Sequence, residues 1–365
     1  SKRFIQSINY MRGLCMLGVI GIHVGSVALL SPSPNLGLVA VLEILSRFSV
    51  PAFSQPAFNQ PFVYKEYLKR RLRTVLIPYL SWSLFYMLYV SVIGHNFTLF
   101  HPGQFIRTLW YGLAMYHIYF LVILLWFYFL MPLWRPLLRW MDKKPALSFT
   151  ILFFANMIFN FYSSYIWNFH FASPILQDAF NYRLNYVVLH YLFIFLFGAF
   201  TAEHFSAVCD WLKNHGLLVN LFQGLSTAGM LAAYYGIMYY KGYDALSAVF
   251  TIHQLSPVGM VYTLSTMLFC LYWWQCRPVP RAVDKVFSLL GDYSYPIYLV
   301  HPLFLALLTH LASHFHIFLR SLYIMAIYCI VTLLAIAFSI VVTKATLPRW
   351  LRICIKENNH IHIDA

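Results

Sequence analysis

Arg12 and His23 stand eleven residues apart in the apolar run Met11-Arg-Gly-Leu-Cys-Met-Leu-Gly-Val-Ile-Gly-Ile-His23. On a helix, eleven steps of about 100° return to nearly the same face, roughly 16 Å along the axis. A guanidinium near one end of an apolar helix and an imidazole near its middle are expensive in hydrocarbon, so a cavity or a polar partner should face them. Histidine, with an unperturbed pKa of about 6.5, suits proton abstraction from a hydroxyl. Arginine's planar fork suits an anionic co-substrate. For His23 alone, a buried neutral histidine bonded to a neighbouring helix is an equal alternative.

Other polar side chains enter apolar runs. Arg70, Arg71 and Arg73 crowd the entry to a run that begins near residue 74, with Lys65 and Lys69 just before them. They suit phosphate, or they are charges that set orientation and snorkel to headgroups. Glu43 and Arg47 are spaced i,i+4 and can pair on one helix face, which makes their burial tolerable; alternatively Glu43 orients His23, or Arg47 faces a donor. Ser294, Tyr298 and His301 fall roughly on one face of a later run. That face contacts a reacting group, or it packs helix to helix. His117 reads similarly near the outer end of its run.

The elements that must hold these groups are membrane helices. Of the 365 residues, 61% are hydrophobic and only 10% charged, against about 25% charged in a soluble domain. Ten candidate spans follow from the apolar runs, at roughly 8–31, 36–55, 74–94, 106–133, 147–167, 186–203, 217–239, 247–273, 286–311 and 321–346. The expected fold class is all-α, a polytopic transmembrane bundle in one domain over 1–350, with a polar solvated tail over 351–365. No internal repeat is visible, and the first run is read as a retained helix rather than a cleaved leader.

The net charge of +14 does not point to nucleic acid, because the basic residues sit in short loops between apolar runs. Groups such as Lys65–Arg73, Arg135–Lys144 and Arg277–Lys285 fall on one side, with only Arg107, Arg183, Lys241 and Arg320 on the other. The positive-inside rule then puts both termini in the cytoplasm. Six cysteines form no CxxC pair, so neither a metal site nor a disulfide framework is expected.

Four stretches together resemble the acyltransferase-3 family of membrane O-acyltransferases. They are Arg12-Gly13 with His23; Tyr67-Leu-Lys-Arg-Arg71-Leu-Arg-Thr-Val-Leu-Ile-Pro78-Tyr79; His117 through Pro132; and Gly291-Asp-Tyr-Ser294-Tyr295-Pro-Ile-Tyr298-Leu-Val-His301-Pro302. The resemblance implies transfer of an acyl group, usually acetyl from acetyl-CoA, to a hydroxyl of a sugar or envelope glycan. It implies His23 as the catalytic histidine. It also implies that Arg12 and the basic entry, Arg71 above all, bind the donor or order the site. Acetyl-CoA would be a co-substrate, with no bound cofactor, and the setting a bacterial cytoplasmic membrane; homo-oligomerisation stays open. The sequence departs from the family in having Asn9 where an Asp is usual before Arg12. It also lacks about ten residues after Pro51-Ala52-Phe53, by comparison with family span lengths.

Acyl transfer to an alcohol needs a base, stabilisation of the carbonyl oxygen and a held donor. His23 would deprotonate the acceptor or, alternatively, carry the acyl group itself. A multispan transporter or exporter using intramembrane Arg, Glu and His is the competing class, although no paired broken helices or inverted repeat support it.

Overall fold

The computed structural model describes residues 2–30, 61–316 and 321–355, which are helical with no strand. Six helices among them are long and apolar enough to cross a membrane: Gln6–Ala28, Tyr64–Gly94, Pro145–Ile166, Gly216–Lys241, Ser294–His314 and Tyr323–Lys344. Two further pairs are bent, Tyr119–Phe129 with Met131–Met141 by 70° and Val188–Glu203 with Phe205–Asn214 by 96°. The chain is a multi-pass membrane protein with six such helices, or eight if each bent pair is one span, among the described residues.

The ten-run reading differs from this at identifiable places. The run 36–55, with Glu43 and Arg47, lies outside the described residues, as does the stretch that follows Phe53, to residue 60. The run 106–133 is two helices. Gly112 ends Pro102–Tyr111 at φ 67°, a left-handed backbone that glycine adopts without strain, and the chain restarts at Tyr119. The run 247–273 is divided by a cap: Ser256 Oγ accepts the Gly259 N–H at 3.1 Å, and Pro257 opens the helix Pro257–Cys276. The run 286–311 breaks at Tyr293, between Arg281–Asp292 and Ser294–His314. Apolar averages pass over such short turns because turn residues in a membrane protein need not be polar.

The chain divides into two compact units. The first comprises Ser1–Ala57, Lys144–Ile166 and Phe193–Phe338. In it the helix Lys2–Leu30 packs along Arg281–Asp292 and Ser294–His314. Two glycines permit the approach. A Cβ on Gly13 would come within 2.7 Å of the Phe287 carbonyl oxygen, and one on Gly291 would overlap Asn9. A polar seam runs along the same contact. Tyr10 Oη donates to Asp284, Gln6 Nε2 lies 3.1 Å from the same carboxylate, and Asn9 Nδ2 donates to Asp292 at 2.8 Å. These bonds fix the axial register of the first helix. Elsewhere in the unit, Ser265 Oγ donates to Gln223 Oε1 at 2.8 Å and ties Pro257–Cys276 to Gly216–Lys241.

The second unit comprises Phe58–Lys143, Trp167–Leu192 and Ser339–Ala365. Its helix Tyr64–Gly94 contains a π-helical turn at Leu72–Leu76. Pro78 is the physical reason: it has no N–H to give the Thr74 carbonyl, and the Ile77 N–H reaches back to Leu72 instead. Thr74 Oγ1 supports the turn by donating to the Arg70 carbonyl at 3.1 Å. Of the expected tail, residues 349–355 form a helix, Arg349–Ile355, that packs against Ile77–Gly94; 356–365 lie outside the described residues.

Candidate functional site

In the first unit, His23 and His301 meet. His23 Nδ1 lies 2.8 Å from His301 Nε2. The ring planes are 9° apart with centroids separated by 5.1 Å. That separation matches a hydrogen bond plus two ring radii, so the imidazoles lie edge to edge in one plane rather than face to face. The bond direction follows from the surroundings. His301 Nδ1 lies 3.2 Å from the Ile297 carbonyl oxygen, which only accepts, so Nδ1 carries the proton. In that tautomer Nε2 of His301 accepts from the Nδ1–H of His23, which puts the basic lone pair of His23 on Nε2.

Local sequence explains the placement. Pro296 falls in the first turn of Ser294–His314, where a missing N–H does no harm. Pro302 follows His301 and deprives the Tyr298 carbonyl of its regular helical donor, loosening the backbone beside the ring. His301 is fully buried and His23 half-buried. The Tyr298 ring is 6.2 Å from His301. Ser294 begins the helix two turns away, and among the described residues no hydrogen bond joins it to either histidine. Arg12, half-buried, adjoins Gly13, which faces the Phe287 carbonyl.

In the second unit, the three candidate arginines separate by environment. Arg70 and Arg73 are exposed, whereas Arg71 is half-buried. The Arg71 guanidinium lies 5.0 Å from the Tyr128 ring centroid and 5.5 Å from that of Tyr67, a cation–π distance. His117 is buried in the turn before Tyr119–Phe129, edge-on to Tyr86 at 5.6 Å. Glu43 and Arg47 lie outside the described residues.

Sequence reasoning missed two features. One is Arg135, taken as an orientation charge but only 4% exposed. The helical bend after Leu130 turns it inward, and no apolar average registers that bend. The other is the seam from Gln6, Asn9 and Tyr10 to Asp284 and Asp292. Its signal was present as a polar stripe at i, i+3 and i+4 before Arg12. On the outer side expected for its loop, Arg107 Nε bonds Asp178 Oδ2 at 2.8 Å and Nη2 bonds Tyr182 Oη at 2.8 Å. The Asp178 contact raises the Arg107 pKa above its ordinary value.

Comparison with known proteins bears on this geometry. The family model described as an acyltransferase domain, Acyl_transf_3, matches residues 5–344. Relatives from Staphylococcus aureus, strains MSSA476 and MRSA252, are each named "Probable poly-beta-1,6-N-acetyl-D-glucosamine export protein" and are 20% and 21% identical over 245 residues. That alignment covers 66% of this chain and 62% of each relative, so the chain spans less than two thirds of their length. No solved structure matches the chain. The match runs from the first helix through the last long one and contains Arg12, His23, Arg71 and His301: the chain belongs to the acyltransferase-3 family of membrane proteins.

Proposed function

We propose that this chain moves an acyl group, acetyl in the first instance, from cytosolic acyl-CoA to a hydroxyl of a sugar or cell-envelope glycan. The observation that carries the proposal is the His23–His301 hydrogen bond, which leaves the basic lone pair on His23 Nε2. In the proposed step that nitrogen takes the acceptor hydroxyl's proton as the oxygen attacks the thioester carbonyl. The carbon–sulfur bond then breaks. The leaving thiolate receives the proton back from the imidazolium, giving free CoA and an ester. His301 holds the tautomer and ring orientation of His23, the part that an orienting group plays beside a catalytic histidine. Arg71 binds the anionic donor, and Arg12 orders the end of the first helix.

Transfer is tested by incubating the purified protein with labelled acetyl-CoA and candidate glycans, following CoA release and label. His23→Ala should lower both by about 10²–10⁴-fold. Absence of CoA turnover with every acceptor would sink the reading. A second reading is glycan export, favoured by the printed names of the relatives. A His23→Ala variant that stops acylation of a surface glycan while its export continues supports the enzyme. Loss of export with unchanged acylation supports the exporter.

A further inference from the structure

In the second unit, a guanidinium, a carboxylate and a set of phenol and amide groups converge away from the basic helix entry. Arg107 lies on Pro102–Tyr111, which follows the end of Tyr64–Gly94 remote from the basic residues 65–73. Tyr79 Oη donates to the Leu109 carbonyl, so Pro102–Tyr111 folds back beside that long helix. Arg107 Nε donates to Asp178 Oδ2, and Nη2 to Tyr182 Oη, each at 2.8 Å. The Arg107 guanidinium carbon is 5.1 Å from the Tyr182 ring centroid. The Tyr111 ring lies 5.2 Å from that of Tyr182 and 5.7 Å from that of Tyr186. The Arg107 and Asp178 side chains stay 33% and 30% exposed, so a ligand can reach both.

Other bonds already fasten this segment. Asn185 Nδ2 donates to the Tyr111 carbonyl at 3.1 Å, where Gly112 ends the helix. Tyr186 Oη donates to the Ala179 carbonyl at 2.7 Å, and Gln177 Oε1 accepts the Phe171 N–H at 2.8 Å. A half-exposed ion pair adds only about 0–1 kcal/mol to a fold, so stability is a weak reason for Arg107 and Asp178. Their bonding capacity is not used up either. Arg107 donates through Nε and Nη2, which leaves the N–H groups of Nη1. Tyr182 Oη receives a hydrogen bond and keeps its own proton to give. Asn185 gives Nδ2–H and keeps Oδ1 to accept, and the Asp178 carboxylate keeps lone pairs.

The charges of the pair cancel. An anion that meets Arg107 also meets Asp178, and a cation meets the reverse, so the pair favours a neutral ligand. A sugar hydroxyl donates and accepts at once, so a carboxylate, an amide oxygen and a guanidinium each find a partner on adjacent hydroxyls. An aromatic face, with its negative quadrupole, takes the sugar's C–H groups. We propose that Arg107, Asp178, Tyr182, Tyr111 and Asn185 form a binding subsite for a neutral saccharide, entered from the side opposite the basic residues 65–73. That this saccharide is the acyl acceptor rests on the acyl-transfer reading; that it binds does not.

The test is binding, without turnover. Cellotetraose and tetra-N-acetylchitotetraose, both neutral, and tetragalacturonate, an anion, are titrated into the full chain in phosphatidylcholine nanodiscs. At least one neutral sugar should bind, and the anion should not. Asp178→Asn keeps the shape and leaves the Arg107 charge unbalanced: neutral-sugar affinity should fall about ten-fold, and tetragalacturonate should now bind. Tyr182→Phe keeps the ring, loses the hydroxyl and should weaken binding several-fold. His170→Gln, exposed on the same segment, should change nothing. A switch in charge preference by an Asp178→Asn chain that melts with the wild type is not a folding defect. Binding of neither neutral sugar, or binding indifferent to Asp178→Asn and Tyr182→Phe, overturns the subsite. If those variants instead lose a stabilisation seen only in nanodiscs containing phosphatidylethanolamine, the pair reads a zwitterionic headgroup and the proposal is likewise overturned. A wild-type chain that binds the sugar yet transfers no acyl group to any acceptor supports the subsite and sinks the proposed function. Transfer to a neutral glycan with a KM indifferent to Asp178→Asn overturns the subsite and leaves the function standing.

Discussion

His23 Nδ1 and His301 Nε2 lie 2.8 Å apart although 278 residues separate them in the chain. The dyad makes unequal demands on its members. In the proposed transfer His23 is the base, so His23→Ala should lower kcat/KM by about 10²–10⁴-fold. His301→Gln keeps a carbonyl oxygen able to accept the His23 Nδ1–H and should lose less than His301→Leu, which keeps none. Rates of CoA release from the three variants check the ranking; a His301→Leu enzyme as fast as wild type would show the contact to be packing only.

Much of this was legible before the fold. Arg12, His23 and His301 stood out because polar groups in apolar runs are expensive, and their types named proton transfer and anion binding. What the sequence could not carry was pairing. The helical period places His301 beside Tyr298, three residues away, but says nothing of which helix faces it. The environments of Arg71 and Arg135 were hidden for a related reason: both lie in basic clusters where positive-inside counting treats every charge alike. Burial separates Arg71 from Arg70 and Arg73, and Arg135 from Arg139. The bounds of the helices were hidden where turns built from Gly112, Ser256 and Tyr293 interrupt the apolar runs.

The glycine contact predicts a stability contrast. Gly13→Ala and Gly291→Ala force a methyl group into the facing backbone, and overpacking of this kind costs about 1–3 kcal/mol. Gly229→Ala in Gly216–Lys241 meets nothing within 4 Å and should be neutral or stabilising by up to about 1 kcal/mol, since alanine is the better helix former. Thermal melts in detergent would show the first two below wild type and the third at or above it.

The polar seam predicts a pH dependence. The Asp284 carboxyl is held below its ordinary range, first by the Tyr10 hydroxyl and then by Ser288 and Gln6. A depressed carboxylate stabilises the fold above its unfolded pKa, about 3.9. That contribution is lost as pH falls through the lower folded value. Melting temperature should therefore decline below about pH 4, and the decline should flatten in Asp284→Asn. A variant with the same acid limb as wild type would remove Asp284 from the account.

Pro78 predicts a trade between stability and donor affinity. Proline in a helix interior costs about 3 kcal/mol relative to alanine, and here it enforces the π-helical turn Leu72–Leu76 directly after Arg71. Pro78→Ala restores the missing N–H and allows a regular ladder. The turn then tightens, so Tyr64–Arg71 rotates relative to the segment that follows. Arg71 would leave its position over Tyr128, where its guanidinium now sits 5.0 Å from the ring. The expected variant melts higher than wild type yet has a KM for acetyl-CoA raised several-fold, with kcat little changed because the His23–His301 dyad lies in the other unit. Equal melting temperature and equal KM would mean that the π turn is sustained without Pro78 and that Thr74, whose hydroxyl bonds the Arg70 carbonyl at 3.1 Å, holds it instead; Thr74→Val on the Pro78→Ala background would then release it.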